Sequence, residues 1–119
     1  KMKLEKFFKA IIDEDRASVV ICDKEHNIIY MNPAAVKNYE KRGGQSLVSK
    51  SIFDCHNGRS VAAIKEVVNA FEQNPDLNRV FTFHNEKQNK DVYMVALRDE
   101  GGELLGYYEK HEYRKVGKI

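Results

Sequence analysis

The chain has 119 residues, 42% hydrophobic and 32% charged, enough to bury a single core without metals or disulfides. With 20 basic and 18 acidic residues mixed along it, the net charge is +2, which makes no electrostatic case for nucleic acid or membrane binding. Two cysteines are no disulfide framework, and no apolar run approaches the length of a membrane span.

The opening "KMKLEKFFKAIIDED" has no signal-peptide core, so reduced thiols and a cytoplasmic location are expected. Leu4, Phe7, Phe8, Ile11 and Ile12 fall on one stripe at helical spacing, opposite Lys3, Glu5, Lys6, Lys9 and Asp13. That stripe must cover either the domain's own sheet or the same helix of a second subunit, which makes it the candidate homodimer interface. The expected organisation is this helix over 1–14, a domain over 15–113 and a solvated basic tail over 114–119 that includes Lys115 and Lys118.

Two β-branched runs, Ser18 to Cys22 and Ile28 to Met31, flank the polar turn "DKEHN" and predict a hairpin covered on both faces. Asn32 can cap a helix that has Pro33 at its first position and ends at Gly43 and Gly44. "QSLVSKSIFDCHN" reads as irregular chain with at most a short helical turn. A longer helix follows in "GRSVAAIKEVVNAFEQNPD", with Val61, Ile64, Val67, Val68 and Phe71 on its apolar face, Asn57 as a cap and Pro75 closing it. Strict alternation in "RVFTFHNE" sets Phe81 and Phe83 opposite Val80, Thr82 and His84. "KDVYMVALRDE" and "LLGYYEKHEYR" complete three strands joined by short polar turns.

One crossover excludes a parallel α/β sheet. The pattern predicts an α+β fold: a five-stranded antiparallel sheet with helices covering one face, plus the N-terminal amphipathic helix. The first hairpin must lie beside the last strand, and a cavity is expected between helices and sheet.

"VVICDKEHNIIYMNPAAVKNY" resembles the opening of the PAS domain family: apolar strand, Asp, polar turn, apolar strand, then Asn entering a short helix, with Asp23, Asn32 and Ala35 at matching positions. "VYMVALRDEGGELLGYYEKHEY" is similar to the family's last two strands, Gly106 included, so the resemblance spans residues 15 to 110. It implies a sensory or interaction module that binds a small ligand or cofactor, or dimerises and signals to a partner protein. Two departures stand out. The stretch "HEYRKVGKI" replaces the Asp-Ile-Thr type junction to an output domain, so none is expected here. The cysteine signature of light-sensing flavin members is also missing around Cys55, so flavin photochemistry is not expected.

The adjacent Cys55 and His56 are the chemical candidates. As nucleophile and base they lack an orienting third group and an oxyanion loop, and as a zinc site they lack partners, so no enzyme is indicated. As an axial haem ligand His56 stands near the expected cavity rim, because the resemblance implies haem ligation by a histidine of the helical middle in some members. The simpler reading is a loop hydrogen bond for His56 and a filled apolar gap for Cys55. His26 is expected in solvent, His84 at the surface and His111 in a charged tail. Cavity-lining candidates are Ile21, Ile29, Met31, Val36, Tyr39, Phe53, Ile64, Val68, Phe81, Phe83, Met94, Ala96 and Tyr107, with Tyr39, Tyr93, Tyr107 and Tyr108 able to supply hydroxyls. The sequence thus points to a ligand-binding sensory module. The alternatives are a haem-based sensor using His56 and a ligand-free homodimer.

Overall fold

The computed structural model describes residues 3–56 and 58–114. Helix α1 (Leu4–Asp13) leads into strands β1 (Val19–Asp23) and β2 (Ile28–Met31), followed by the short helix α2 (Pro33–Asn38). Turns of 3₁₀ helix at Glu40–Arg42, Gly44–Leu47 and Ile52–Cys55 lead to helix α3 (Gly58–Gln73). Strands β3 (Arg79–Asn85), β4 (Lys90–Arg98) and β5 (Leu104–Tyr113) complete the chain. The strands form one antiparallel sheet in the order β2-β1-β5-β4-β3, so the first hairpin does lie against the last strand.

Asn32 sets the entrance to this sheet. Its Oδ1 accepts from the N–H of Ala35, capping α2, and from the N–H of Val19 on β1, both at 2.9 Å. Its Nδ2 donates to the carbonyls of Ile12 (3.1 Å) and Ala17 (3.0 Å), which ties α1 to the start of β1. Helix α2 stops at Asn38 rather than at the glycines, because the chain tightens into 3₁₀ turns first and Gly43 takes up the left-handed backbone at φ +129°. Asn57, the expected cap of α3, lies outside the described residues, as do Lys115 and Lys118.

The inner face carries Val20, Cys22, Ile28, Met31, Met94, Ala96 and Tyr107, packed with Leu47, Ile52, Ile64, Val68 and Phe71 into one core. The far end of α3 is held over the sheet by Arg98, whose guanidinium donates to the carbonyls of Phe71 (2.9 Å) and Leu77 (3.0 Å). Those carbonyls sit at and just beyond the helix C-terminus, where a cation is favoured.

Two expectations fail on the outer face, and the placement of α1 is decided there. Alternation breaks at a bulge between Phe81 and Phe83, so Phe81 pairs with Tyr93 on the outer face and Phe83 pairs with Val92 on the inner one. A second irregularity, at Ile21/Cys22, turns Ile29 outward to 55% exposure, and the hairpin is covered well on one side only. Helix α1 does not lie on the sheet: Leu4, Phe7, Phe8 and Ile11 are 54–65% exposed, while Ile12 is half-buried. No helix among the described residues is long and apolar enough to cross a membrane.

Candidate functional site

Between α3 and the β3–β4–β5 side of the sheet lies a cavity of about 360 Å³. The helical side contributes Tyr39, His56, Arg59, Ala63 and Ile64; the sheet contributes Thr82, Phe83, Val92, Met94, Glu109 and His111. The bulge makes this wall. Thr82 is the extra residue, its Oγ1 donating to the Val92 carbonyl at 2.8 Å, and it brings Phe83 round to the mouth.

Apolar walls enclose an acid and two imidazoles. Glu109 and His111 are two residues apart on β5, paired with Met94 and Val92, and therefore share the inner face. They are 7% and 5% exposed. His56 donates from Nδ1 to the Ile52 carbonyl at 2.9 Å and points Nε2 at Glu109 Oε2, 3.6 Å away. Burial disfavours the charged ring of His56, but the Cys55 sulfur and the Glu109 carboxylate outweigh it, and its pKa is pushed up to about 10. Burial, then the nearby Lys90 ammonium, push His111 the other way, down to about 4. The site therefore sets a histidine whose charged form is favoured, His56, beside one whose charged form is disfavoured, His111. Among the described residues, Glu109 Oε1 and both ring nitrogens of His111 have no hydrogen-bond partner.

These opposite displacements predict a stability maximum near pH 6.5. His111, lowered in the folded state, contributes fully above its unfolded value near 6.5, and that contribution is lost as pH falls toward 4. The loss is on the order of 3 kcal/mol. His56, raised in the folded state, contributes fully below 6.5 and loses that stability as pH rises toward 10. Urea midpoints measured from pH 4 to 10 check this, with His111→Phe expected to flatten the acid limb. A wild-type acid limb already flat between 6.5 and 4 would remove the argument.

Of the expected lining residues, Tyr39, Ile64, Phe83 and Met94 meet at the cavity, where His56, expected near its rim, joins them. Met31, Val68, Ala96 and Tyr107 are instead consumed by the packed core, and Val36 leans on its edge. Phe53 stacks on His26 at 4.5 Å between ring centroids. Ile21, Ile29, Phe81, Tyr93 and Tyr108 belong to the outer side, with Arg79 lying 4.1 Å over the Tyr93 ring. His26 is not a solvated turn residue: it takes the left-handed backbone (φ +70°), and its Nδ1 lies 2.8 Å from the Tyr107 hydroxyl. Nor is His111 in a tail, because β5 runs on to Tyr113 and carries it inside. His84 does stay out of the cavity, its Nδ1 2.9 Å from Asp91. Sequence reasoning missed Glu109, His111, Arg59 and Thr82. Continuing the two-residue period from Tyr107 would have found the first two.

Cys55 Sγ lies 3.4 Å from His56 Nδ1. Both groups hydrogen-bond the Ile52 carbonyl, which holds them as a structural clasp on the 3₁₀ turn.

No family model matches the chain, and no curated protein matches it. Solved structures do. A C-terminal domain from Streptococcus mutans is 22% identical, with a TM-score of 0.71 over 96% of this chain and 87% of that one. The PAS domain of a Colwellia psychrerythraea protein is 13% identical, with a TM-score of 0.69 over 93% and 97%. The Aer2 receptor of Vibrio cholerae, described as a dual PAS-heme oxygen sensor, is 20% identical, with a TM-score of 0.57 over 82% and 94%. The fold is therefore PAS-like, and its neighbours include sensor domains.

His56, the expected axial haem ligand, is already engaged in this arrangement. The Nε2 that would ligate iron faces Glu109 Oε2 at 3.6 Å, so an iron there would have to displace that contact. Protein purified from haem-replete cells is expected to show no Soret band. A Soret band that disappears in His56→Ala would overturn this.

Proposed function

We propose that this chain is a sensory module that binds a small molecule in the α3–sheet cavity and relays occupancy through helix packing and dimerisation. The observation that carries the reading is a half-open cavity of about 360 Å³ between α3 and the sheet, lined by apolar side chains together with the buried Glu109 and His111. The volume lies within the roughly 300–1,000 Å³ of small-molecule pockets. Sensor domains among the neighbours support the same reading.

The second element is the α1 stripe. Leu4, Phe7, Phe8 and Ile11 stay over half exposed, and the same helix of a second copy would cover them. Helix α1 reaches the core through Asn32 and through Tyr30, whose hydroxyl donates to Asp13. A signal passing from the sheet to a paired α1 would use those two contacts. Native mass spectrometry of freshly purified protein tests both parts at once. Two chains plus a small added mass, falling to one chain in Phe8→Asp, is the expected result. A bare dimer would replace the proposal by a ligand-free interaction module, and a bare monomer would remove both.

A further inference from the structure

Helix α1 and the outer face of the sheet are neighbours that leave each other uncovered. The base of the helix stands on that face: Asp13 accepts from the Tyr30 hydroxyl, and Asp15 Oδ2 pairs with Lys110 Nζ at 2.7 Å. Tyr30 and Lys110 lie in outer rows of the sheet, level with Ile21 and Tyr93. With the Ile12 carbonyl also bound by Asn32, these ties keep α1 from folding back onto its own sheet. The outer face is apolar across its centre, where Ile21, Tyr108 and Val95 form one row and Phe81 flanks it. Two strand irregularities enlarge it. Opposite Ile21/Cys22 and Leu97/Arg98 the neighbouring strand carries one extra residue, Ile29 and Leu105, turned outward to 55% and 56% exposure. Charged side chains at the margin are already paired within the chain, Arg79 with Glu112 at 2.8 Å and Arg114 with Asp91 at 2.9 Å. An occupant of the centre therefore needs apolar surface rather than counter-charge.

Given the dimer proposed above, we infer that the outer face of the sheet is the second half of its interface. A two-fold axis sets the two α1 helices side by side and lays each against the outer face of the partner's sheet. Area decides this. Leu4, Phe7, Phe8 and Ile11 are a little over half exposed, which is roughly 450 Å² per chain if a whole large side chain carries about 200 Å². Two helices alone would then bury at most about 900 Å², below the roughly 1,200–2,000 Å² of stable, specific interfaces. Adding Ile29, Phe81, Leu105 and the half-buried row between them roughly doubles that area and brings it into range. The dimensions agree as well. Ten residues of helix span about 15 Å, equal to about three strand spacings, so α1 reaches across the centre of a facing sheet. One chain carries both surfaces in similar extent, and a two-fold axis covers both at once and closes the assembly. A partner of another kind would cover one and leave the other in water.

The test follows dimer dissociation of the full chain by analytical ultracentrifugation, in the wild type and in Phe8→Asp, Ile29→Asp and Leu105→Asp. Ile29 and Leu105 are exposed and stand outside the cavity lining, so these two changes leave the ligand site alone. Each is expected to raise the dissociation constant at least about tenfold, as Phe8→Asp does, because the new carboxylate would be buried without a counter-charge. A mixed sample of isotope-labelled and unlabelled wild-type chains gives a second reading that depends on no variant. Intermolecular nuclear Overhauser effects are expected from the Ile29 and Leu105 methyl groups to the phenylalanine rings of the partner's α1. A dimer that Phe8→Asp weakens and both sheet variants leave intact, with those cross-peaks missing, would overturn the sheet contact and leave the dimer of helices standing. A dimer that the sheet variants weaken while Phe8→Asp does not would overturn the exchange of α1. A wild-type chain that stays monomeric would overturn both this interface and the dimer it extends.

Discussion

Replacing Asn32 by alanine is expected to cost about 3–5 kcal/mol, a large share of the roughly 5–15 kcal/mol that a domain of this size holds. Asn32 is fully buried and serves both ends of its amide. Alanine would orphan the N–H of Val19 and the cap of α2 together with the carbonyls of Ile12 and Ala17, in a place water does not reach. Each orphan costs its own desolvation, which makes the sum far larger than an ordinary lost cap of about 1 kcal/mol. Asn32→Ser should recover part of the loss, because its hydroxyl can still cap α2 but cannot reach the carbonyls on the other side. Urea unfolding measures both variants. A loss below about 1 kcal/mol in Asn32→Ala would show that these hydrogen bonds are readily replaced.

Gly106→Ala is expected to be worse still, costing more than about 3 kcal/mol or preventing folding. A Cβ built on Gly106 would stand 2.1 Å from the Cys22 carbonyl oxygen and 3.0 Å from Asp23 Cα. These are backbone atoms of the neighbouring strand β1, paired to β5 at Asp23↔Gly106, and they have no rotamer by which to move away. The only relief is to part β1 from β5, which opens the centre of the sheet. Gly102→Ala makes the contrast. Gly102 has open space around it, so alanine there bears only the strain of φ +88°, about 1–2 kcal/mol. Melting curves of the two variants separate the causes. Equal destabilisation would mean that close approach is not what selects glycine at 106.

Much of this architecture was readable beforehand, for reasons tied to short-range physics. Asn32 followed by Pro33 is a local capping signal and forms a cap wherever the helix packs. The stripe of α1 and the face of α3 follow from a helix period that tertiary contacts do not alter. Short polar turns between β3, β4 and β5 leave antiparallel pairing as the only arrangement. The two failures in the strands have one origin. A bulge inserts one residue and reverses which face the following side chains take, and nothing in "RVFTFHNE" marks where it falls. Phe81 and Phe83, placed together by alternation, therefore end on opposite sides of the sheet.

The site shows the same division more sharply. His56 was visible as a candidate because a cysteine–histidine pair in a loop attracts notice. Its partner Glu109 is more than fifty residues away in the chain, and only the crossing of the 3₁₀ turn over β5 brings the two to 3.6 Å. His111, set aside as part of a charged tail, becomes a buried neutral ring because β5 continues to Tyr113.

What the amino-acid order determines by itself is therefore the list of elements, their caps and their apolar faces, since each depends on neighbours within a few positions. Which of those apolar residues fill space and which enclose it, and whether an acid and two histidines meet inside, was decided by the tertiary structure alone. Burial, ion pairing and close backbone approach act between atoms that are near in space and far apart along the chain.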